Sequence, residues 1–327
     1  MRITLDLSKL VEEGKLTPAE AERLKGLASA EVGTLAFNIL IGFGVVAVAA
    51  GAVALVPAPA TAVAMGLALF AGSFVVIRRP AWFVLGEICL IVGALMFCGG
   101  VLALGDGSLQ STLIVTAALA LAAIAARSSL LMCFAVLGAS ACLGARTGYT
   151  HATYSLAIFE PTLTIVLFSA LAYVAFMASK RLSAGYERVA LAAARMSIVL
   201  VNCGFWIGSL WGDPFFLFHG QRVPPRSLAK VDILIPDYAF GIAWAVALVC
   251  AMLWGTRSGR AWLVNVVAVF AAIHFYTQWF ERLGATPASV LAGGVVLLLA
   301  AMALRRFNRG KSEAATPEAP AEAAPSA

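Results

Sequence analysis

Charge is what this chain has least of. Only 12% of its 327 residues are Asp, Glu, Lys or Arg, about half the share of an ordinary soluble domain. A water-soluble fold of this length needs more charge to cover its surface, so that class is excluded. Histidine is scarcer still. The three present, His151, His219 and His274, lie far apart, and no His/Glu zinc pattern, glycine-rich phosphate loop or Gly-x-Ser-x-Gly elbow occurs. Catalysis of the soluble type, a bound metal and an organic cofactor are therefore not expected. Six cysteines all fall inside apolar runs without metal-type spacing, where a thiol serves as a small apolar filler. The formal charge of +6 comes from basic residues sitting mostly at the ends of apolar runs, which is a membrane pattern and not a nucleic-acid surface.

What the chain has instead is hydrocarbon. Apolar residues make up 61% of it, arranged in runs at 34–56, 59–77, 81–104, 109–126, 129–146, 157–179, 189–211, 237–255, 261–280 and 287–304. Runs of about 17–25 residues cross a hydrocarbon layer of about 30 Å as helices. The expected fold is all-α: a polytopic membrane protein of about ten transmembrane helices, with the lipid bilayer as its solvent. The first 33 residues carry both charge signs, and the first apolar run starts too late for a signal peptide, so the first span itself is expected to start insertion.

Basic residues orient the spans. With the N-terminus inside, inner segments hold 17 of the 23 Lys and Arg residues and outer segments five, with Arg195 inside a span. Both termini are then expected on the cytoplasmic side. Residues 1–33 form a cytoplasmic helical hairpin. Leu7, Leu10 and Val11 supply the first helix's stripe, Gly14 its stop, and Thr17-Pro18-Ala19-Glu20 a capping box with proline at the first helical position. Residues 34–304 are the membrane domain, and 305–327, rich in Ala, Pro and Glu, a disordered cytoplasmic tail. The hairpin has too little surface for a core of its own. It serves either as a docking module for a cytoplasmic protein partner or as a cap on the first span.

The run Leu10-Val11-Glu12-Glu13-Gly14-Lys15-Leu16-Thr17-Pro18-Ala19-Glu20, leading into Gly/Ala-rich spans near Asn38 and Gly42, resembles a bacterial family of uncharacterised multipass membrane proteins, domain of unknown function 2157. The resemblance covers roughly residues 5–77. It implies a helical membrane fold in a bacterial inner membrane and carries no catalytic or binding residues.

Ionisable side chains inside a bilayer are costly, which makes each a candidate for function. Glu87 and Arg195 sit at similar expected depth on the third and seventh spans, as an intramembrane ion pair or as part of a proton or substrate path. Glu160, Asn202, Asp237, His274 and Gln278 can line one outward-opening polar pocket, with Trp206, Tyr276 and Trp279 as aromatic walls. The alternative is an interfacial aromatic belt and ordinary interhelical hydrogen bonds. In the longest connection, Gly212 to Pro236, the basic residues Arg222, Arg226 and Lys230 suit an anionic solute or lipid headgroup. Small residues, as in Ala47-x-x-x-Gly51 and Ala68-x-x-x-Gly72, suit close helix packing.

Two functions fit. Ten spans divide into two inverted sets of five, an architecture common among small-molecule transporters, although no proline breaks a span. A non-enzymatic scaffold or envelope assembly factor, docking a partner through the hairpin, fits as well. An enzyme acting on lipid-linked substrates through Glu160 and His274 is the least favoured reading.

Overall fold

A computed structural model describes residues 11, 16–150, 153–214 and 235–313. Among these residues the chain forms ten α-helices: α1 Pro18–Leu55, α2 Pro59–Val76, α3 Phe83–Leu104, α4 Leu109–Ala126, α5 Ser129–Cys142, α6 Pro161–Ser179, α7 Ala184–Trp211, α8 Asp237–Arg257, α9 Ala261–Leu283 and α10 Pro287–Glu313. Eight of them contain stretches long and apolar enough to cross a membrane. Their outer faces are apolar and open, with Leu40 and Phe43 each 70% exposed and Leu121 68%. A soluble protein does not tolerate such surfaces at this extent, whereas lipid tails solvate them. The chain is an all-α polytopic membrane protein.

Four boundaries differ from those expected. First, α1 runs unbroken across residue 33. The second helix of the expected hairpin and the first span are one rod of 38 residues, about 57 Å long at 1.5 Å per residue. Its start follows the sequence: Thr17 Oγ1 accepts from the Glu20 amide at 3.3 Å, and the Thr17 amide donates to Glu20 Oε2 at 3.0 Å. The first helix of the hairpin falls outside the described residues, apart from Val11.

Second, α5 stops at Cys142 and not near residue 146. Gly144 takes φ +93°, open to glycine at little cost, and the Ala145 amide turns back to the Ser140 carbonyl at 3.0 Å. The segment beyond, rich in Thr and Tyr, favours strand. Arg146–Thr150 pairs antiparallel with Thr153–Ala157, Tyr149 opposite Tyr154. At 14 residues, α5 spans about 21 Å, short of a full crossing.

Third, α7 begins at Ala184 rather than 189. Fourth, α10 continues to Glu313, through residues expected in the tail. Arg305, Arg306, Arg309 and Lys311 are good helix formers, and cations complement the negative end of the helix dipole. The tail from 314 on lies outside the described residues.

The Glu20 carboxyl is held below its ordinary pKa, first by the Thr17 hydroxyl and then by the Thr17 amide. A depressed carboxylate pKa stabilises the fold above the unfolded-state value, and that contribution is lost as pH falls through the folded value. The first turn of α1 is therefore expected to be protected at neutral pH and to open in acid. Hydrogen exchange at the Thr17, Glu20 and Ala21 amides, corrected for intrinsic rates, checks this. Thr17→Ala should cost about 0.5–2 kcal/mol of local helix stability at neutral pH.

The described residues divide into two compact units, one drawn from 1–157 and 167–198, the other from 158–166 and 199–327. In the first unit, α2 and α3 lie antiparallel across a short turn, and α3 carries glycine at seven-residue intervals, Gly86, Gly93 and Gly100. Gly93 and Gly100 face backbone of α2, and Gly86 that of Ile77, the residue that caps the C-terminal end of α2. A Cβ on Gly86 would lie 2.9 Å from the Ile77 nitrogen, one on Gly93 2.8 Å from the Gly66 oxygen, and one on Gly100 2.8 Å from the Pro59 oxygen. Gly66 answers from the other side, its own Cβ position 2.7 Å from the Gly93 oxygen. The partners Ile77, Phe70 and Val63 recur at the same interval, so one register aligns the whole pair. The expected small-residue stretches Ala47-x-x-x-Gly51 and Ala68-x-x-x-Gly72 are exposed instead, with open space around Gly51 and Gly72.

On its other side α3 joins α4 and α5 through Leu90, Ala94, Cys98, Val115, Leu119, Ala123, Leu131 and Ala135. Asn38 of α1 donates to the Ala81 carbonyl at 2.9 Å, placing the start of the first apolar stretch beside the Arg78-Arg79 turn. The Arg127 guanidinium lies 4.9 Å over the Tyr186 ring, tying the α4–α5 turn to the start of α7.

Candidate functional site

The second unit is organised around one tryptophan. Trp244, in the middle of α8, is 0% exposed, too deep for an interfacial belt. Its indole nitrogen donates to Asn202 Oδ1 on α7 at 3.0 Å. The opposite contact is His274 of α9, whose ring meets Trp244 edge-on at 4.8 Å, with Phe270 at 6.5 Å. Trp244 thus joins three helices, and its one polar atom is satisfied, as burial in an apolar medium demands.

Glycines bring these helices close. Gly208 of α7 sits against the Phe240 ring, a Cβ there meeting its Cγ at 2.7 Å, and Gly241 of α8 lies under the Gln278 carboxamide, where a Cβ would fall 3.2 Å from Oε1. Gln278 follows His274 at i+4 on one face of α9. Gly204 of α7 faces the start of α6, with a Cβ position 3.3 Å from the Pro161 oxygen and 3.5 Å from the Thr164 methyl group.

That start of α6 is acidic. Glu160 is 5% exposed and Asp213 0%. Asp213 Oδ2 accepts from the Thr162 amide at 2.9 Å, where the helix leaves amide donors unpaired and its dipole favours negative charge. Asp213 is itself fixed by backbone. Gly212, at φ +70°, ends α7 with its amide on the Gly208 carbonyl at 2.8 Å. The Asp213 amide then donates to the Ile235 carbonyl at 2.9 Å, with the reverse bond at 3.3 Å. These two bonds close the base of the long connection.

Around this framework, polar atoms remain to be satisfied. Among the described residues, the buried side-chain polar atoms without a hydrogen-bond partner all fall in this unit. They include the hydroxyls of Thr162 and Thr164, the Trp206 indole nitrogen, His274 Nδ1 and Gln278 Nε2. Each is costly in a low-dielectric interior, and native proteins leave few. The chain matches no protein-family model, no curated protein and no solved structure.

The structure therefore gathers three of the five residues expected to line a pocket. Asn202, His274 and Gln278 meet around Trp244 and Gly241, and Trp206 lies one turn beyond Asn202 on α7. Glu160 belongs to the α6 start that packs on Gly204. Asp237 is exposed at the first turn of α8, one turn before Gly241. Of the other expected walls, Tyr276 is 57% exposed, and Trp279 donates to the Ser289 carbonyl of α10 at 3.1 Å. Glu87 is half-buried on the second turn of α3, and Arg195 is exposed on the fourth turn of α7. Arg222, Arg226 and Lys230, with His219 and His151, lie outside the described residues. Among those described, no group of three His, Cys, Asp or Glu side chains could hold a metal ion.

Asp213 and Trp244 escaped the sequence reading. Asp213 is one of several polar residues in the Gly212–Pro236 connection, and only its place directly after Trp211-Gly212 marks it as fixed. Trp244 had a clearer signal, since a tryptophan in mid-span needs a partner for its N–H.

Proposed function

We propose that this chain is a transporter-like membrane protein that binds a small polar solute in the second unit, among Asn202, Trp206, His274, Gln278 and the start of α6. The reading is carried by the concentration of unsatisfied buried polar atoms at helices that are otherwise apolar. Structural hydrogen bonds of a solid bundle would pair with one another, as Trp244 and Asn202 do. Groups aimed at a solute or its water do not. Glu160 and Asp213 at the same helix start favour a neutral or cationic solute over an anionic one. Among the described residues, no group of His, Cys, Asp or Glu that could hold a metal ion accompanies them, which favours binding over metal-assisted catalysis.

The proposed setting is a bacterial inner membrane with both termini cytoplasmic, as the basic-residue bias and the likeness to the domain 2157 family suggest. The Asn38–Ala81 and Arg127–Tyr186 contacts agree with the pairing of segments in this topology, since each joins two segments assigned to one side, and the basic-residue bias alone decides which side that is. The scaffold reading draws support from α1, which is helical from Pro18, well ahead of its apolar stretch Phe37–Leu55, and so gives a cytoplasmic partner a helical segment to bind.

Accessibility separates the two. In a cysteine-free background, single cysteines at Asn202, Thr164 and Gln278 are expected to react with a membrane-impermeant methanethiosulfonate far faster than one at the lipid-facing Ile242. Reaction no faster than at Ile242 at all three positions would overturn the solute-site reading and leave the scaffold.

A further inference from the structure

The first unit contains a different kind of space. A cavity of about 200 Å³ lies between α2 and α4, with Ala94 and Cys98 of α3 as its floor, Leu67 and Phe70 on one wall, and Ala118 and Ala122 on the other. The room comes from short side chains. Ala94 and Cys98 carry one heavy atom or two beyond the backbone, and Ala118 and Ala122 repeat that economy one turn apart on α4. Neighbouring residues cannot close in, because the glycine register holds α2 on α3 and the Leu90–Leu119–Leu131 core holds α4.

The lining decides what can enter. Apart from the Cys98 thiol, it offers nothing to a hydrogen-bonding solute, and a water there would lack the two to four polar partners it needs. An empty space of this size would strip its walls of dispersion contacts. The cavity sits at the middle of α2, α3 and α4, all long enough to cross a bilayer, and hence at hydrocarbon depth. Leu67 on its wall is 55% exposed, and Leu121, beside Ala122, is 68% exposed. The space therefore opens on the face that lipid tails solvate.

We infer that this groove seats one acyl chain of a bilayer phospholipid, held as a bound lipid and not as freely exchanging solvent. The chain lies along the small-residue floor, and Phe70 and Phe97 flank it with aromatic surface. The inference is independent of the solute site in the second unit.

The test uses the full chain in proteoliposomes containing a phospholipid with a diazirine midway along one chain. After illumination, adducts on residues 94–98 and 118–122 are expected several-fold above those on Ile242, Val246 and Val249 of α8, whose side chains are openly exposed. Ala118→Phe should fill the groove and bring labelling down to that control, whereas Leu121→Phe should leave it unchanged. Groove labelling at the control level in the wild type overturns the proposal. So does undiminished labelling in folded Ala118→Phe. Should that variant fail to fold, Cys98 decides. Its alkylation by N-ethylmaleimide, read by peptide mass spectrometry, should be slow in lipid-retaining preparations and several-fold faster after exhaustive delipidation. An unaltered rate refutes the bound chain.

Discussion

Gly93→Ile is expected to abolish assembly of the first unit. The added Cβ alone would fall 2.8 Å from the Gly66 carbonyl oxygen and 2.5 Å from the Phe70 nitrogen, and no real Cβ approaches backbone so closely. A clash with a side-chain tip relaxes by a rotamer change. Here both obstacles are main chain of α2, so the helices must separate, and the reciprocal contact at Gly66 is lost with them. Inserting volume into a packed core costs about 1–3 kcal/mol when side chains can move aside. The cost here should exceed that range. Gly66→Val should behave alike, and even Gly93→Ala should be severe. Gly51→Ala and Gly99→Ala provide the control, since nothing lies within 4 Å of either position and alanine favours the helix. Yield and monodispersity of purified protein in detergent check the set. Normal behaviour of Gly93→Ile would mean that α2 and α3 do not meet through these glycines.

The same glycines show how far the sequence could be read. Apolar runs were legible because lipid imposes a length on every crossing helix, and the capping box at Thr17 because its chemistry is local. Helix partners were harder. Nothing local distinguishes Gly72, which faces open space, from Gly66, which touches a neighbouring backbone. The usable signal was the seven-residue interval of Gly86, Gly93 and Gly100 matched by Val63, Phe70 and Ile77, a pattern spread over two helices. The strand pair after α5 was hidden for the converse reason. Its approach is apolar, and one glycine at positive φ diverts it. In the candidate site, Asn202, His274 and Gln278 stood out as polar residues in hydrocarbon. Asp213 did not, because its role depends on the Ile235 backbone and on the start of α6, both remote in sequence.

Trp244→Ala should be the most damaging change in the second unit. Removing a buried tryptophan costs about 3–5 kcal/mol in packed interiors, enough to lower an apparent melting temperature on the order of 10 °C in a protein this size. Alanine also takes away the surface against which His274 is set. The indole's two contributions can be separated. Trp244→Phe keeps most of the ring and removes the donor to Asn202, and Asn202→Ala removes the acceptor. Interhelical hydrogen bonds in membranes are worth about 0.6–2 kcal/mol. A double-mutant cycle on these two changes should therefore give a coupling energy in that range, while Trp244→Phe paired with Ser197→Ala should give none, since Ser197 donates to its own helix at Ala193. Stability comes from unfolding in mixed micelles. The cycle also bears on the solute site. If Trp244 acts as the joint between α7, α8 and α9, Trp244→Phe should alter the reactivity of cysteines at both Asn202 and Gln278 even where it barely changes stability. Unchanged reactivity at Gln278 would confine the tryptophan to packing.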